Sequence, residues 1–208
     1  FRNSRVFQRP HGVPDTVLRA DPVFRKSAVY TEYAETLEIH PRMVMYESFH
    51  ARLMTCNPFA IFVDLLERGG FEDWIHVWVV NDRSGVPQAF RRMRNVILVS
   101  RNSDSYQRYL ATAKVLVNNV TFYSYFIRRP EQIYLNTWHG TPWKMLGKDV
   151  RGELLTYGNM SHNFIHATHI LSSNEHSTHV FLKGFDIDTL SHGRIVRSGY
   201  PRVDLTLN

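Results

Sequence analysis

His139 lies in the stretch "NTWHGTPWKMLGKD" (Asn136 to Asp149), between a tryptophan and a glycine, where an apolar run ends. Imidazole titrates near neutrality, so a histidine placed at such a junction can take a proton from a hydroxyl. Gly140 permits tight backbone geometry and close approach of a ligand. Thr141 and Pro142 read as the cap and first position of a helix, whose free amides would attract an anion. Lys144 and Lys148, one helical turn apart, add positive charge beside it. The competing reading is a histidine hydrogen-bonded inside a turn.

Chemistry at this point needs a scaffold that brings His139 to an edge. Apolar runs at 43–46, 74–80, 96–100, 114–117, 133–138, 169–172 and 195–196 alternate with helical stretches. Several are apolar throughout, as strands buried on both faces are. Asn57-Pro58 reads as a helix start over 59–68, closed by Gly69-Gly70. Ser103 can cap 104–112, and Asn174 can cap 175–183, which ends at Gly184. Strand and helix in alternation predict an α/β fold, a Rossmann-like doubly wound and mostly parallel sheet. Residues 1–41, broken by prolines, read as a peripheral segment or linker with a short helix near 33–38, and residues 42–208 as the domain.

Ligands of such sheets gather beyond the carboxyl ends of the strands. There the sequence places Glu47 and His50, Asn118 and Asn119, His139 and Gly140, Asn174 and His176, and Arg202. Glu47 and His50 could meet a substrate, or only cap a turn and pack. Asn118 and Asn119 could bind hydroxyls or only shape a turn. His162, His166 and His169 have helical spacing, but no companion motif makes them a metal site, and no cofactor is implied.

The chain has 208 residues, 43% of them hydrophobic and 21% charged, which is globular composition. Its single cysteine, Cys56, cannot form an internal disulfide, which points to a reducing compartment. A net charge of +6 favours anionic polymers or an acidic membrane surface. Arginines cluster at Arg2, Arg5 and Arg9, at Arg91, Arg92 and Arg94, and at Arg128 and Arg129. No nucleic-acid recognition motif accompanies them. The N-terminus has neither an initiator methionine nor an apolar signal core, so the chain reads as a piece of something longer.

Five blocks in order carry a resemblance: "YESFHARLMTCNPFAIFVDLL", "YLATAKVLVNNVTF", "YLNTWHGTPWKMLGKD", "ILSSNEHST" and "SGYPRVD". They resemble the CDP-glycerol glycerophosphotransferases, the teichoic acid and capsule polymerases. Trp143, Ala51 and Cys56 stand where that family usually has Leu, Gly and Asp. The resemblance implies one half, the N-terminal acceptor side, of a two-domain GT-B-type transferase, without its nucleotide-binding half. It implies transfer of glycerol phosphate from CDP-glycerol to the hydroxyl end of an anionic polymer, releasing CMP, on the cytoplasmic face of the cell membrane. His139 would then be the general base, with Thr141, Lys144, Lys148 and Arg202 near the phosphate. The isolated half would bind acceptor without turnover. Other readings are a GT-B-type glycosyltransferase using another nucleotide donor, and a non-catalytic polyanion-binding module.

Overall fold

The computed structural model describes residues 20–152 and 154–207. Arg2, Arg5 and Arg9 lie outside them. Seven strands form one parallel sheet: β1 (His40–Glu47), β2 (Ile75–Val79), β3 (Val96–Val99), β4 (Ala113–Asn118), β5 (Ile133–Asn136), β6 (His169–Ser172) and β7 (Arg194–Arg197). Their order is β3-β2-β1-β4-β5-β6-β7, and every pairing is parallel. This is the doubly wound arrangement read from the sequence, and its strand order reverses between β1 and β4.

The helices are α1 (Pro22–Thr36), α2 (Cys56–Glu67), α3 (Gln88–Arg91), α4 (Asp104–Thr112), α5 (Leu154–His166), α6 (Glu175–Gly184), α7 (Ile187–Leu190) and α8 (Pro201–Leu207). Side chains alternate across each strand, so the sheet carries two cores. Met43, Met45, Val77, Val79 and Leu116 face one core, which also holds Phe122, Phe126, Tyr134, Phe164 and Phe181. Val44, Tyr46, Trp78 and Val117 face the other, where Phe62 of α2 packs. Ser103 accepts from the Tyr106 amide and Asn174 from the Ser177 amide, so both expected caps form.

Two local readings are corrected. In place of a short helix near 33–38, α1 runs for 15 residues, packs on α4 and buries Tyr30, whose hydroxyl donates to the Ile127 carbonyl (2.6 Å). And α2 begins at Cys56 with Thr55 as its cap residue, so Asn57 is not a cap. Its side chain is fully buried and reaches across to the β5 turn instead.

Candidate active site

The end of β1 is in register with the end of β4, Glu47 beside Asn118, and Asn118 lies beside Asn136 at the end of β5. The loops leaving these three strands therefore converge where the strand order reverses. The His139 turn is built from β5 outward. Asn136 Oδ1 accepts from the Trp138 amide (3.0 Å), and Asn57 Nδ2 donates to the Thr137 and Trp138 carbonyls (3.3 and 3.1 Å). Thr137 N donates to the Asn118 carbonyl (2.8 Å), and Trp138 adopts a left-handed φ of 49°. This puts the His139 ring on the Trp138 indole, centroids 4.3 Å apart, with Phe49 against its edge.

His139 Nδ1 lies 2.7 Å from the Asn119 carbonyl. A carbonyl oxygen only accepts, so Nδ1 carries the proton and Nε2 keeps its lone pair. Burial holds the pKa of His139 below the ordinary histidine value; the Asn119 hydrogen bond opposes this and the Arg202 charge adds to it. The ring is therefore a neutral base with one free nitrogen. It lines a cleft of about 850 Å³ with His50, Arg101, Thr121, Ser124 and Asn159. No carboxylate is among the described residues that line it.

His50, in a turn after β1 at φ 56°, stands on the same cleft. Its pKa is also lowered, first by burial and then by the Arg101 charge. Asn119 ties the two histidine turns together: its Oδ1 accepts from the Phe49 amide (2.9 Å) while its carbonyl holds His139. Asn118 is fully buried, and its Oδ1 accepts from the Val120 amide (2.5 Å). Both asparagines shape turns and neither lines the cleft. Glu47 is likewise fully buried and does not line the cleft. It accepts from the Tyr106 hydroxyl (2.8 Å) and pairs with Arg101, whose Nε is 2.7 Å away. The Nε–H is not aimed at the oxygen, so this contact is an ion pair rather than a directed hydrogen bond. Burial raises the Glu47 pKa, against the pull of Arg101 and Tyr106.

The helix start expected at Thr141 is absent. Residues 140–146 are irregular and lead into a 3-10 turn at Gly147–Asp149. Tertiary partners take the groups that would have capped: Asn174 Nδ2 donates to Thr141 Oγ1 (2.9 Å), and His176 Nε2 donates to the Pro142 carbonyl (2.9 Å). Gly140 has no left-handed φ; in this stretch that conformation belongs to Trp138 and Gly147. Lys144 is exposed, Lys148 pairs with Asp186, and neither lines the cleft. Arg202 binds the protein, not the cleft: Nη1 donates to the His139 carbonyl (2.9 Å) and touches Cys56 Sγ (3.4 Å). Of the histidines with helical spacing, His162 and His166 lie ring against ring, centroids 4.5 Å apart. His162 Nε2 donates to the Phe126 carbonyl (2.6 Å), and His169 sits on β6.

Arg101 was missed by sequence reading. The signal was available, because Ser100-Arg101 follows β3 at the same edge of the sheet.

A seven-stranded parallel sheet with an oriented histidine on a cleft beyond the carboxyl ends of its strands defines an α/β protein of the doubly wound class. Residues 29–208 match the model of the CDP-glycerol:poly(glycerophosphate) glycerophosphotransferase family, and the chain belongs to that family. It is 28% identical over 179 residues to the teichoic acid poly(glycerol phosphate) polymerase of Staphylococcus epidermidis, covering 82% of this chain and 23% of that protein. It is 27% identical over 186 residues to the teichoic acid glycerol-phosphate transferase of Staphylococcus aureus, covering 85% and 45%. The solved wall teichoic acid polymerase TagF superposes with a TM-score of 0.73 at 27% identity, over 93% of this chain and 46% of that one. A His-to-Asn variant of TagF soaked with CDPG gives 0.73 at 25% identity, over 92% and 48%. The chain thus spans less than half the length of these relatives.

Proposed function

We propose that this chain forms the acceptor side of a glycerophosphotransferase that extends a poly(glycerol phosphate) chain from CDP-glycerol. The observation that carries the reading is His139 with Nδ1 spent on the Asn119 carbonyl and Nε2 free at the cleft. A neutral alcohol is a poor nucleophile, and a positioned imidazole makes it a better one. Nε2 takes the proton of the terminal glycerol hydroxyl. The new P–O bond forms at that oxygen, the pyrophosphate P–O bond breaks, and CMP leaves. His50, on the same wall, hydrogen-bonds the acceptor. The donor is bound by the portion of the relatives that lies outside the matched region. The relatives' names, teichoic acid polymerase and glycerol-phosphate transferase, support this substrate class.

The anionic polymer and the cytoplasmic membrane surface complete the proposal. Arg91, Arg92 and Arg94, all exposed, remain available for it. Arg128 and Arg129 do not: Arg128 donates to the His166 and Gln132 carbonyls, and Arg129 to the Leu37 carbonyl (2.7 Å). No helix among the described residues is long and apolar enough to cross a membrane, so association would be peripheral. Calorimetric titration of the chain with short oligo(glycerol phosphate) and, separately, with CDP-glycerol tests the reading. Binding of the oligomer and little binding of CDP-glycerol is the expected result; the reverse would place the donor site here.

A further inference from the structure

The Thr141 loop supplies no helix start for an anion, yet a glycerol phosphate substrate carries one at every unit. We propose that Arg101 is the phosphate-binding residue of this cleft, gripping a phosphate of the substrate whose hydroxyl faces His139. The inference rests on the acceptor-side reading above and adds a group to it.

Arg101 is set up as a receptor from behind. Its side chain is only 15% exposed, and its Nε edge faces the buried carboxylate of Glu47. Glu47 is itself fixed by the Tyr106 hydroxyl. The Tyr123 ring lies under the guanidinium, 4.0 Å from ring centroid to Cζ. One Nη2 hydrogen goes to the Thr121 carbonyl (3.4 Å), and Arg101 N donates to Asn81 Oδ1 (3.1 Å). Nη1 has no hydrogen-bond partner among the described residues, on a side chain that lines the cleft. A carboxylate on one edge, a ring below and a carbonyl at the side leave one edge of a rigid fork free. Such a fork suits two oxygens of a phosphate. Ser124, Thr121 and His50 line the cleft with it and can complete the oxygen shell.

The cleft side of this arrangement also explains the Glu47 burial. A carboxylate sealed at the sheet edge is costly unless paired, and its partner is a cation aimed outward. Glu47 is therefore a positioning residue for Arg101.

The test is calorimetry on the 208-residue chain with short oligo(glycerol phosphate) and, in parallel, CDP-glycerol. Arg101→Lys keeps the charge against Glu47 but loses the fork; Glu47→Gln/Arg101→Gln removes both charges together and keeps the test open if the lysine variant fails to fold. The expected result is about tenfold or more weaker oligomer binding in both variants, with circular dichroism unchanged, while Lys144→Gln, at an exposed residue away from the cleft, binds as wild type does. Weakening confined to CDP-glycerol would overturn the proposal, because the phosphate held by Arg101 would then belong to the donor. Wild-type binding of the oligomer with unchanged affinity in both Arg101 variants would overturn the proposal and leave the acceptor-side reading intact. Failure of the wild-type chain to bind either ligand would overturn both.

Discussion

The two ends of one motif do opposite work. At the His139 end, backbone carbonyls and buried amides hold a ring so that one nitrogen stays free: Asn119 takes Nδ1, and Asn57 and Arg202 pin the turn beneath it. At the Lys148 end everything closes on the protein itself. Lys148 pairs with Asp186, which also accepts from Tyr157 (2.8 Å), and Gly147 lies back to back with Gly184 of α6. Between the two ends, Trp143 and Met145 face outward, 93% and 69% exposed. One end leaves a ring nitrogen open at the cleft and the other is a latch. Contiguity in sequence therefore does not make a site; the shared cleft does, and it recruits Arg101 and His50 from other strands in place of the neighbouring lysines.

The sharpest way to break this contrast is at the reactive end. His139→Asn in the complete enzyme should cut CMP release by about 100- to 10,000-fold, the usual cost of a lost general base. Its urea midpoint should stay near wild type, since the latch and the core are untouched. Near-normal turnover in a folded variant would remove the assignment.

The latch fails differently. A Cβ on Gly147 would sit 1.9 Å from the Gly184 carbonyl oxygen, at a φ of +67° that side chains rarely adopt. Backbone strain and overpacking together put Gly147→Ala at roughly 2–4 kcal/mol of lost stability. Equilibrium urea denaturation measures it. A loss of rate without a loss of stability would mean that the loop is part of the chemistry after all.

What the sequence made legible follows from range. The seven strands show because each carries a short apolar run between helical stretches, and the caps at Ser103 and Asn174 show because they act within one turn. Thr141-Pro142 misled because Asn174, on another loop, takes the hydroxyl that would have capped a helix. Asn57 misled for the same reason: its partners are on the β5 turn. Glu47 looked like an edge carboxylate, and only the β3–α4 segment, which carries Arg101 and Tyr106, makes it a buried one. Local grammar was readable, and long-range partners decided which polar residues face the cleft.

Acid should separate the two ends more gently. The pKa of His139 is lowered by burial and, less, by Arg202. Its neutral form persists below the ordinary histidine range, so the acid limb of the rate profile should lie below pH 6.5. Arg202→Gln removes a repelling charge and should move that limb upward. Stability has the same sign. His50, His76, His139, His162 and His166 all bind protons less readily folded than unfolded. Their contribution is full above the unfolded value near 6.5 and is lost as pH falls, toward about 4 for His166. Urea midpoints measured through that window should decline steadily. A flat profile would mean that the rings are not desolvated as described.

The smallest effects belong to the lysines, and they test the contrast from the other side. Lys144 is exposed and away from the cleft, and Lys148 is about half exposed in its pair with Asp186. Surface ion pairs of this kind are screened by water and salt and contribute little. Lys144→Gln and Lys148→Met should therefore leave turnover close to wild type, with only a slight fall in urea midpoint for the second. The comparison that matters is with Arg101→Lys, which keeps a cation in the cleft yet should weaken substrate binding. If either motif lysine instead cost as much rate as His139→Asn, the anion would be held by the loop. The cleft's Arg101 would then be a structural counter-ion to Glu47 alone. A parallel assay of the three variants, at one substrate concentration below saturation and one above, separates loss of binding from loss of chemistry.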